Sequence, residues 1–456
     1  MRLAHRIRLE PTPLQAAYFL RASTVARFAH NWALAEWQRG YATGARPREV
    51  VLRRRLNAIK RIEFPWMLEV GKVVPQQAIK NLGNSYINFF EDLRKYRRRE
   101  LPWKRVRRPC YARKGAHDSF RVDNGIDKDN YHAVTVEGKR VRVPRLGWVR
   151  MREAVRFCGR ICSLTISREA DKWYASFAVE VKQIVPARGD NEVVGVDLGS
   201  KHLATLSDGR RVPAPKPLKH DLAKLRRLNR ALSRKSKGSR NWAKAKTKLA
   251  RLHARIKHVR ADCLHKLTTT LVRDWRTVSI EDLNVAGMLA NRKLARTISD
   301  LGFFEFRRQL QYKAAMQGAS IFVAPQWFAS SKICSACGWT YDALTLSERE
   351  WTCRACAKRH DRDINAAINL RNAASSAVAV CGAGGSGDGH QAGANPTALK
   401  QKETMGSAPR IRTATPVPKT PRRCGGGKSD TGSLSATVCI SLFKKKNRPR
   451  QPRPVS

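Results

Sequence analysis

The chain has 456 residues, with 90 Lys and Arg against 36 Asp and Glu, a formal net charge of +54 and a pI of about 11.0. Charge on that scale calls for a polyanionic partner, either nucleic acid or an anionic membrane. No window offers about 18 uninterrupted apolar residues, and the N-terminus, MRLAHRIRLEPTP, lacks the apolar stretch of a signal peptide, so nucleic acid is the favoured partner.

Residues 10–42 predict a helix, with Thr12 as N-cap, Pro13 at the first helical position and Gly40 and Gly44 marking its end. A second helical stretch, 75–97, sets Ile79, Leu82, Tyr86, Phe89, Phe90 and Leu93 on one face. It runs into a basic strip, YRRRELPWKRVRR, with Trp103 and Tyr111 interleaved. From about 117 to 183 the period shortens to two. The segments HAVTVEGKRVRVPRL, VRMRE, ICSLTIS and KWYASFAVEVK predict a meander of short strands, a pattern that fits a nucleic-acid-binding barrel and a plain β subdomain alike.

Residues 193–206, VVGVDLGSKHLATL, predict a buried strand, a turn at Gly199 and a second strand. Over 216–260 a helical hairpin is expected. One arm carries Leu222, Leu225, Leu228 and Leu232, the other Leu249, Leu252 and Ile256, and the basic loop SRKSKGSRN joins them. Seventeen Lys and Arg against the single acid Asp221 exceed what a merely solvated face carries. A strand at 276–281, a helix at 299–318 and a strand at 318–325 follow. From about 376 to 456 the composition of Gly, Ser, Pro, Ala and Thr predicts disorder. That tail holds 14 cations and 3 anions, so most of the charge belongs to the rest of the chain.

Two Cys-x-x-Cys pairs, Cys334/Cys337 and Cys353/Cys356, stand fifteen residues apart. Two tight knuckles at this spacing present four thiolates tetrahedrally, and a closed shell of four leaves no position for water, so a structural zinc is expected. His360, four residues on, is a possible substitute ligand that four cysteines make unnecessary. The other seven cysteines (Cys110, Cys158, Cys162, Cys263, Cys381, Cys424 and Cys439) form no disulfide framework and fit a reducing cytosol. Three acids complete the candidate chemistry. Asp197 ends the strand VVGVD, Glu281 ends VSIE, and Asp363 opens the helix DINAAINL, with Asp361 competing for that last place. If they converge, they can hold two Mg²⁺ or Mn²⁺ ions for phosphodiester hydrolysis. Taken singly, each reads equally as a turn, surface or cap residue.

The stretches RLEPTPLQ, ARFAHNWALA, SFRVDN, VPRLGWVRMR, GVDLGSKHLATLSDG, LSRKSKGSRNWAKAKTKLARLHARI, SIEDLNVAGML, SSKICSACGW and EWTCRACAKRHDRDINAAINL together resemble the TnpB family. Its members are insertion-sequence-encoded relatives of the type V CRISPR effectors. The resemblance runs in family order over roughly residues 3–375. It implies an α+β multidomain fold. A β-barrel wedge domain (1–10 and 106–186) carries an inserted helical recognition domain (11–105). An RNase H-like RuvC core (187–330 and 357–375) carries a zinc-ribbon, target-nucleic-acid-binding insertion (331–356), and a disordered basic tail (376–456) follows.

The resemblance assigns Asp197, Glu281 and Asp363 to the Mg²⁺-binding catalytic site, choosing Asp363 over Asp361 through the family's D-x-N-A-A pattern. It assigns Cys334, Cys337, Cys353 and Cys356 to the structural zinc. It further implies a guide RNA from the element's own end, a double-stranded DNA target, a monomer, and a cytoplasmic, nucleoid-associated location. An accessory transposition protein and a guide-directed repressor without cleavage are the alternatives. One departure from the family is Ala357, where glycine is usual after the last cysteine.

Overall fold

The computed structural model describes residues 1–115, 117–125, 133–182, 189, 191–345 and 347–382, with side chains through 377. The first sheet has seven antiparallel strands: β1 (Arg2–Glu10), β2 (Ser119–Asp123), β3 (Thr135–Glu137), β4 (Arg140–Val143), β5 (Gly147–Met151), β6 (Arg160–Glu169) and β7 (Lys172–Glu180). Their spatial order is β2-β6-β7-β1-β5-β4-β3. β1 is central because its alternation is complete. Leu3, His5, Ile7 and Leu9 point inward, and the strand pairs with β7 from Arg2 to Leu9 before meeting β5 at Leu9 and Glu10.

Three helices pack on this sheet, α1 (Pro13–Ala42), α2 (Glu49–Ile59) and α3 (Val73–Arg97), and they share one core with it. Thr12 caps α1 reciprocally with Gln15. The Gln15 N–H donates to Thr12 Oγ1 at 3.3 Å, and the Thr12 N–H donates to Gln15 Oε1 at 3.1 Å. Phe19 of α1 meets Phe120 and Trp173 of the sheet, and Trp37 stacks on Tyr86 of α3 at 4.4 Å.

The second sheet has five strands: β8 (Asn191–Asp197), β9 (His202–Leu206), β10 (Arg211–Pro213), β11 (Trp275–Glu281) and β12 (Ser320–Ala324). The order is β10-β9-β8-β11-β12, antiparallel from β10 to β8 and parallel from β8 to β12. Between β10 and β11 run α4 (Pro217–Ser233) and α5 (Arg240–Asp274), the expected basic hairpin, with α5 continuing well past 260. Asp300 anchors it. Its carboxylate accepts the backbone N–H groups of Leu218 and Lys219 at 3.0 Å each, and it also binds Arg260 of α5.

Between β11 and β12 lie α6 (Val285–Ala290), α7 (Ala295–Leu301) and α8 (Phe303–Gln317). The single helix expected over 299–318 is therefore two, divided at Gly302, whose φ of 75° lies in the left-handed region. The two sheets are tied by acids at the β6–β7 turn. Glu169 accepts from Arg6 at 2.6 Å and from Lys257 at 2.8 Å, and Asp171 accepts from Arg251 at 2.8 Å.

After β12 comes a small cysteine module whose two strands, β13 (Glu350–Thr352) and β14 (Arg359–Asp361), form a hairpin. It passes directly into α9 (Arg362–Gly382). Helix α9 overruns the expected start of disorder at 376, and the remainder of that expected tail, 383–456, lies outside the described residues. α9 packs on β8 at very short range. Gly195 abuts the Ala367 carbonyl so closely that a Cβ would overlap it and would stand 2.6 Å from the Arg371 nitrogen. Ala366 and Ala367 are fully buried on the helix side of the contact.

The two Cys-x-x-Cys knuckles share one backbone design. Cys334 N–H donates to Trp339 O and Gly338 N–H to Cys334 O. In the second knuckle Cys353 N–H donates to Lys358 O and Ala357 N–H to Cys353 O. The residue after each second cysteine is left-handed, Gly338 at φ 80° and Ala357 at φ 57°.

Gly195→Ala forces α9 off β8 against backbone rather than a yielding side chain, so it should lower stability by about 3 kcal/mol in urea denaturation. Ala357→Gly removes a left-handed alanine and should stabilise the module by about 1 kcal/mol, read as a higher unfolding midpoint; Gly338→Ala should do the reverse. Burial works to raise the Glu169 pKa, but bonds from Lys257, Arg6 and His258 outweigh it and hold it at about 2, against an ordinary 4.5. This depressed value gives stability that is fully present above pH 4.5 and lost as pH falls toward 2. Urea titrations across that range should show the loss, and Glu169→Gln should remove that component.

Candidate active site and metal centre

Strands β8 and β11 run parallel with Val196 opposite Ile280, so Asp197 and Glu281 end neighbouring strands at the same edge of the sheet. α9, held on β8 at Gly195, brings its first turn and Asp363 to them. All three carboxylates are half-buried. Their convergence is registered in Asp197. Burial pushes its pKa well above the usual carboxylate range, repulsion from Glu281 and then Asp363 pushes it further, and Arg362 and Arg349 only partly offset this. A carboxylate disfavoured in its charged form by burial and by neighbouring acids marks a candidate functional site.

The other two acids have protein partners. Ser330 Oγ donates to Glu281 Oε1 at 2.5 Å, and Arg349 Nη1 lies 3.5 Å from Asp363 Oδ1. Asp361 is engaged differently. Its Oδ1 accepts the N–H groups of Asp363 (3.1 Å) and Ile364 (3.0 Å), and its Oδ2 accepts from Arg211 at 2.7 Å. It is the N-cap of α9, which leaves Asp363 as the acid that faces Asp197. Oxygen donors of this set suit a hard divalent cation, and positive charge between them would lower the raised pKa of Asp197.

The cysteines are gathered more tightly. Among the described residues, Cys334, Cys337, Cys353 and Cys356 are the one group of three or more His, Cys, Asp or Glu whose ligand atoms all lie within 4.8 Å of one another. The Cys334–Cys356 and Cys337–Cys353 sulfurs are 3.7 and 3.6 Å apart. That matches the roughly 3.8 Å edge of a tetrahedron with zinc–sulfur distances of about 2.3 Å. The residues fit a structural zinc. His360 Nε2 lies 3.0 Å from Cys334 Sγ while its ring packs on Trp351, an outer-shell position beside a complete set of four ligands.

Pattern alone missed several residues at this edge. Arg349 is one cation among many in the module and reaches Asp363 only through folding. Ser330 stands in the quoted SSKICSACGW, yet nothing local links it to Glu281. Asn365 and Asn369, both buried on α9, donate to the Ile333 carbonyl at 2.7 and 2.6 Å, and Asn369 also to Ser330 O at 2.8 Å. A polar pair on the buried face of DINAAINL is the one signal that was available. A cleft of about 1100 Å³ between β1 and helices α5 and α8 lies elsewhere; none of the three acids lines it.

Three family descriptions match the chain: "Probable transposase" of the OrfB type over residues 176–292, "Cas12f1-like, TNB domain" over 303–370, and an OrfB "Helix-turn-helix domain" over 1–46. The last covers β1 and the single 30-residue helix α1. A "Putative RNA-guided DNA endonuclease" of Streptomyces pristinaespiralis is 39% identical over 385 residues, covering 84% of this chain and 91% of its own. InsQ of Escherichia coli K12, described in the same words, is 32% identical over 396 residues, covering 83% and 94%. A Cas12f1–sgRNA–target DNA complex gives a TM-score of 0.47 at 12% identity, over 79% of this chain and 83% of that one, a likeness too slight to add to the sequence relatives. With relatives matched over more than four-fifths of both chains, this chain belongs to the TnpB family, the OrfB-type proteins of insertion sequences.

Proposed function

We propose that the chain is an insertion-sequence-encoded, RNA-guided DNA endonuclease that hydrolyses phosphodiester bonds at Asp197, Glu281 and Asp363. The observation that carries the site assignment is the placement of Asp197 and Glu281 at the ends of the paired parallel strands β8 and β11, with the first turn of α9 and its Asp363 held against β8. The sheet order supports an RNase H-like, RuvC-type core over 187–330 and 357–375, because three antiparallel strands lead into two parallel ones with acids ending β8 and β11. On this reading 1–10 and 106–186 form the wedge domain and 11–105 the recognition helices. Residues 331–356 form the zinc insertion, which binds target nucleic acid, and the tail follows α9.

When bound, Mg²⁺ or Mn²⁺ at such a site supplies an activated water and charge for the leaving oxygen. The protein supplies the rest. Asp197, whose charged form burial and the other two acids disfavour, would gain most directly from a bound cation. Ser330 fixes one oxygen of Glu281. Arg349, beside Asp363, is placed to meet a non-bridging phosphate oxygen of the strand being cut. The cations of α4 and α5 take the nucleic-acid backbone, with a steep salt dependence as the consequence. Sequence is read by a guide RNA from the element's own end, pairing with double-stranded DNA, on a cytoplasmic, nucleoid-associated monomer.

Asp197→Ala, Glu281→Ala and Asp363→Ala should each reduce Mg²⁺-dependent cleavage to background while binding of co-purified RNA survives. Asp361→Ala should instead lose about 1 kcal/mol of stability through its cap and keep measurable cleavage, and Asp361→Asn should behave as wild type. Cleavage assays on the purified ribonucleoprotein decide this. Undiminished cutting by the three alanine variants would refute the site.

A further inference from the structure

The connection from β12 into the cysteine module makes a short excursion that begins and ends at Glu281. It leaves from Ala324, the register partner of Glu281 on β12, and returns at Ser330, whose hydroxyl binds the Glu281 carboxylate at 2.5 Å. Trp327 stands midway. Three residues of chain on either side limit its backbone to roughly 10 Å from each anchor. It sits in a tight turn, with the Phe328 N–H donating to Pro325 O at 2.9 Å and the Ser330 N–H to Phe328 O at 2.8 Å. Its indole is 88% exposed, more than any other large hydrophobic side chain among the described residues.

An indole held in water on a hydrogen-bonded turn needs a physical reason. A protein-docking patch requires contiguous apolar area, whereas the neighbours Pro325, Gln326 and Ala329 are small or polar and exposed, and Phe328 is half-buried. What the turn offers is one flat π face, beside a carboxylate cluster and within a chain of net charge +54. The ligand that matches a single π face beside a phosphodiester-cleaving site is an unpaired base on the strand being cut. A paired base offers no free face, so the contact also favours a strand already separated from its partner.

We propose that Trp327 is a base-stacking platform that seats the unpaired DNA strand so that its phosphate meets Asp197, Glu281 and Asp363. This rests on the endonuclease reading above. The test uses the full-length ribonucleoprotein with its guide-matched duplex, comparing wild type, Trp327→Ala, Trp327→Phe and Asp363→Ala. Trp327→Ala should lower kcat/KM for cleavage by roughly tenfold or more, with Trp327→Phe recovering most of it and guide-RNA binding unchanged. Abasic nucleotides flanking the scissile phosphate should slow the wild type to a similar degree and add little to the defect of Trp327→Ala. Wild-type cleavage by Trp327→Ala, an abasic effect that adds in full, or loss of guide RNA in step with activity would overturn the platform while Asp363→Ala remains inactive. Activity in Asp363→Ala would instead remove the site reading and the platform with it.

Discussion

The candidate site depends on how closely α9 lies on β8. A helix normally keeps its backbone away from a sheet by the thickness of two side chains. Here Gly195 contributes none and Ala366 and Ala367 contribute a methyl group each, so backbone meets backbone. That contact sits two residues before Asp197 on the strand and one turn after Asp363 on the helix. It therefore fixes the separation of two carboxylates that are far apart in sequence. Glu281 needs no comparable device, because parallel pairing of β8 and β11 brings it to the same edge.

Closeness has an electrostatic cost. At Asp197, burial and the charges of Glu281 and then Asp363 all disfavour the ionised form. The surrounding cations, Arg349 and Arg362, offset this only in part. A fold with so large an excess of Lys and Arg had many ways to neutralise three acids with direct salt bridges, as it does for Glu169 and Asp171. Here Glu281 is held by a neutral hydroxyl, and the Arg349–Asp363 pair, at 3.5 Å, is longer than the 2.6 to 2.8 Å pairs of Glu169 and Asp171. Asp197 is left with unmet demand for positive charge, a state that suits a metal-binding site and that a structural ion pair does not have.

Much of this was legible from sequence where the information is local. The period-two segments gave the meander, the leucine stripes gave α4 and α5, Thr12 with Pro13 gave the start of α1, and cysteine spacing gave the module. What was missed lacks local contrast. β1 alternates cleanly, but its inward set includes His5 and its outward set is arginine-rich, so periodicity did not mark it as a strand, and only the family resemblance placed 1–10 with the β domain. α2, with the sequence EVVLRRRLNAI, buries only Leu52 and Leu56 and carries too faint a stripe to stand out. The break at Gly302 turns on one left-handed residue inside an otherwise helical pattern. At the site, the preference for Asp363 over Asp361 came from the family's motif. Its physical reason, that the first aspartate is consumed as the helix cap, needs the coordinates of α9. Ser330 reaches Glu281 from 49 residues away, and Arg349 reaches Asp363 across the β13–β14 hairpin, contacts that no local periodicity signals.

The cysteine module is accordingly not a separable appendage. Its entry carries Ser330, bound to Glu281, and its exit carries Asp361, the cap that orients the turn bearing Asp363; Arg349 reaches Asp363 from within it. Two of the three carboxylates are therefore contacted by the chain that the four thiolates fold. Asn365 and Asn369 close the loop from the other side, tying α9 back to the carbonyls of Ser330 and Ile333 just before the first knuckle. Zinc bound there would hold the module's two ends in a fixed relation while touching no acid. Its loss would loosen the turn that carries Asp363 and the Ser330 contact to Glu281, while Asp197 and Glu281, built into β8 and β11, keep their backbone places.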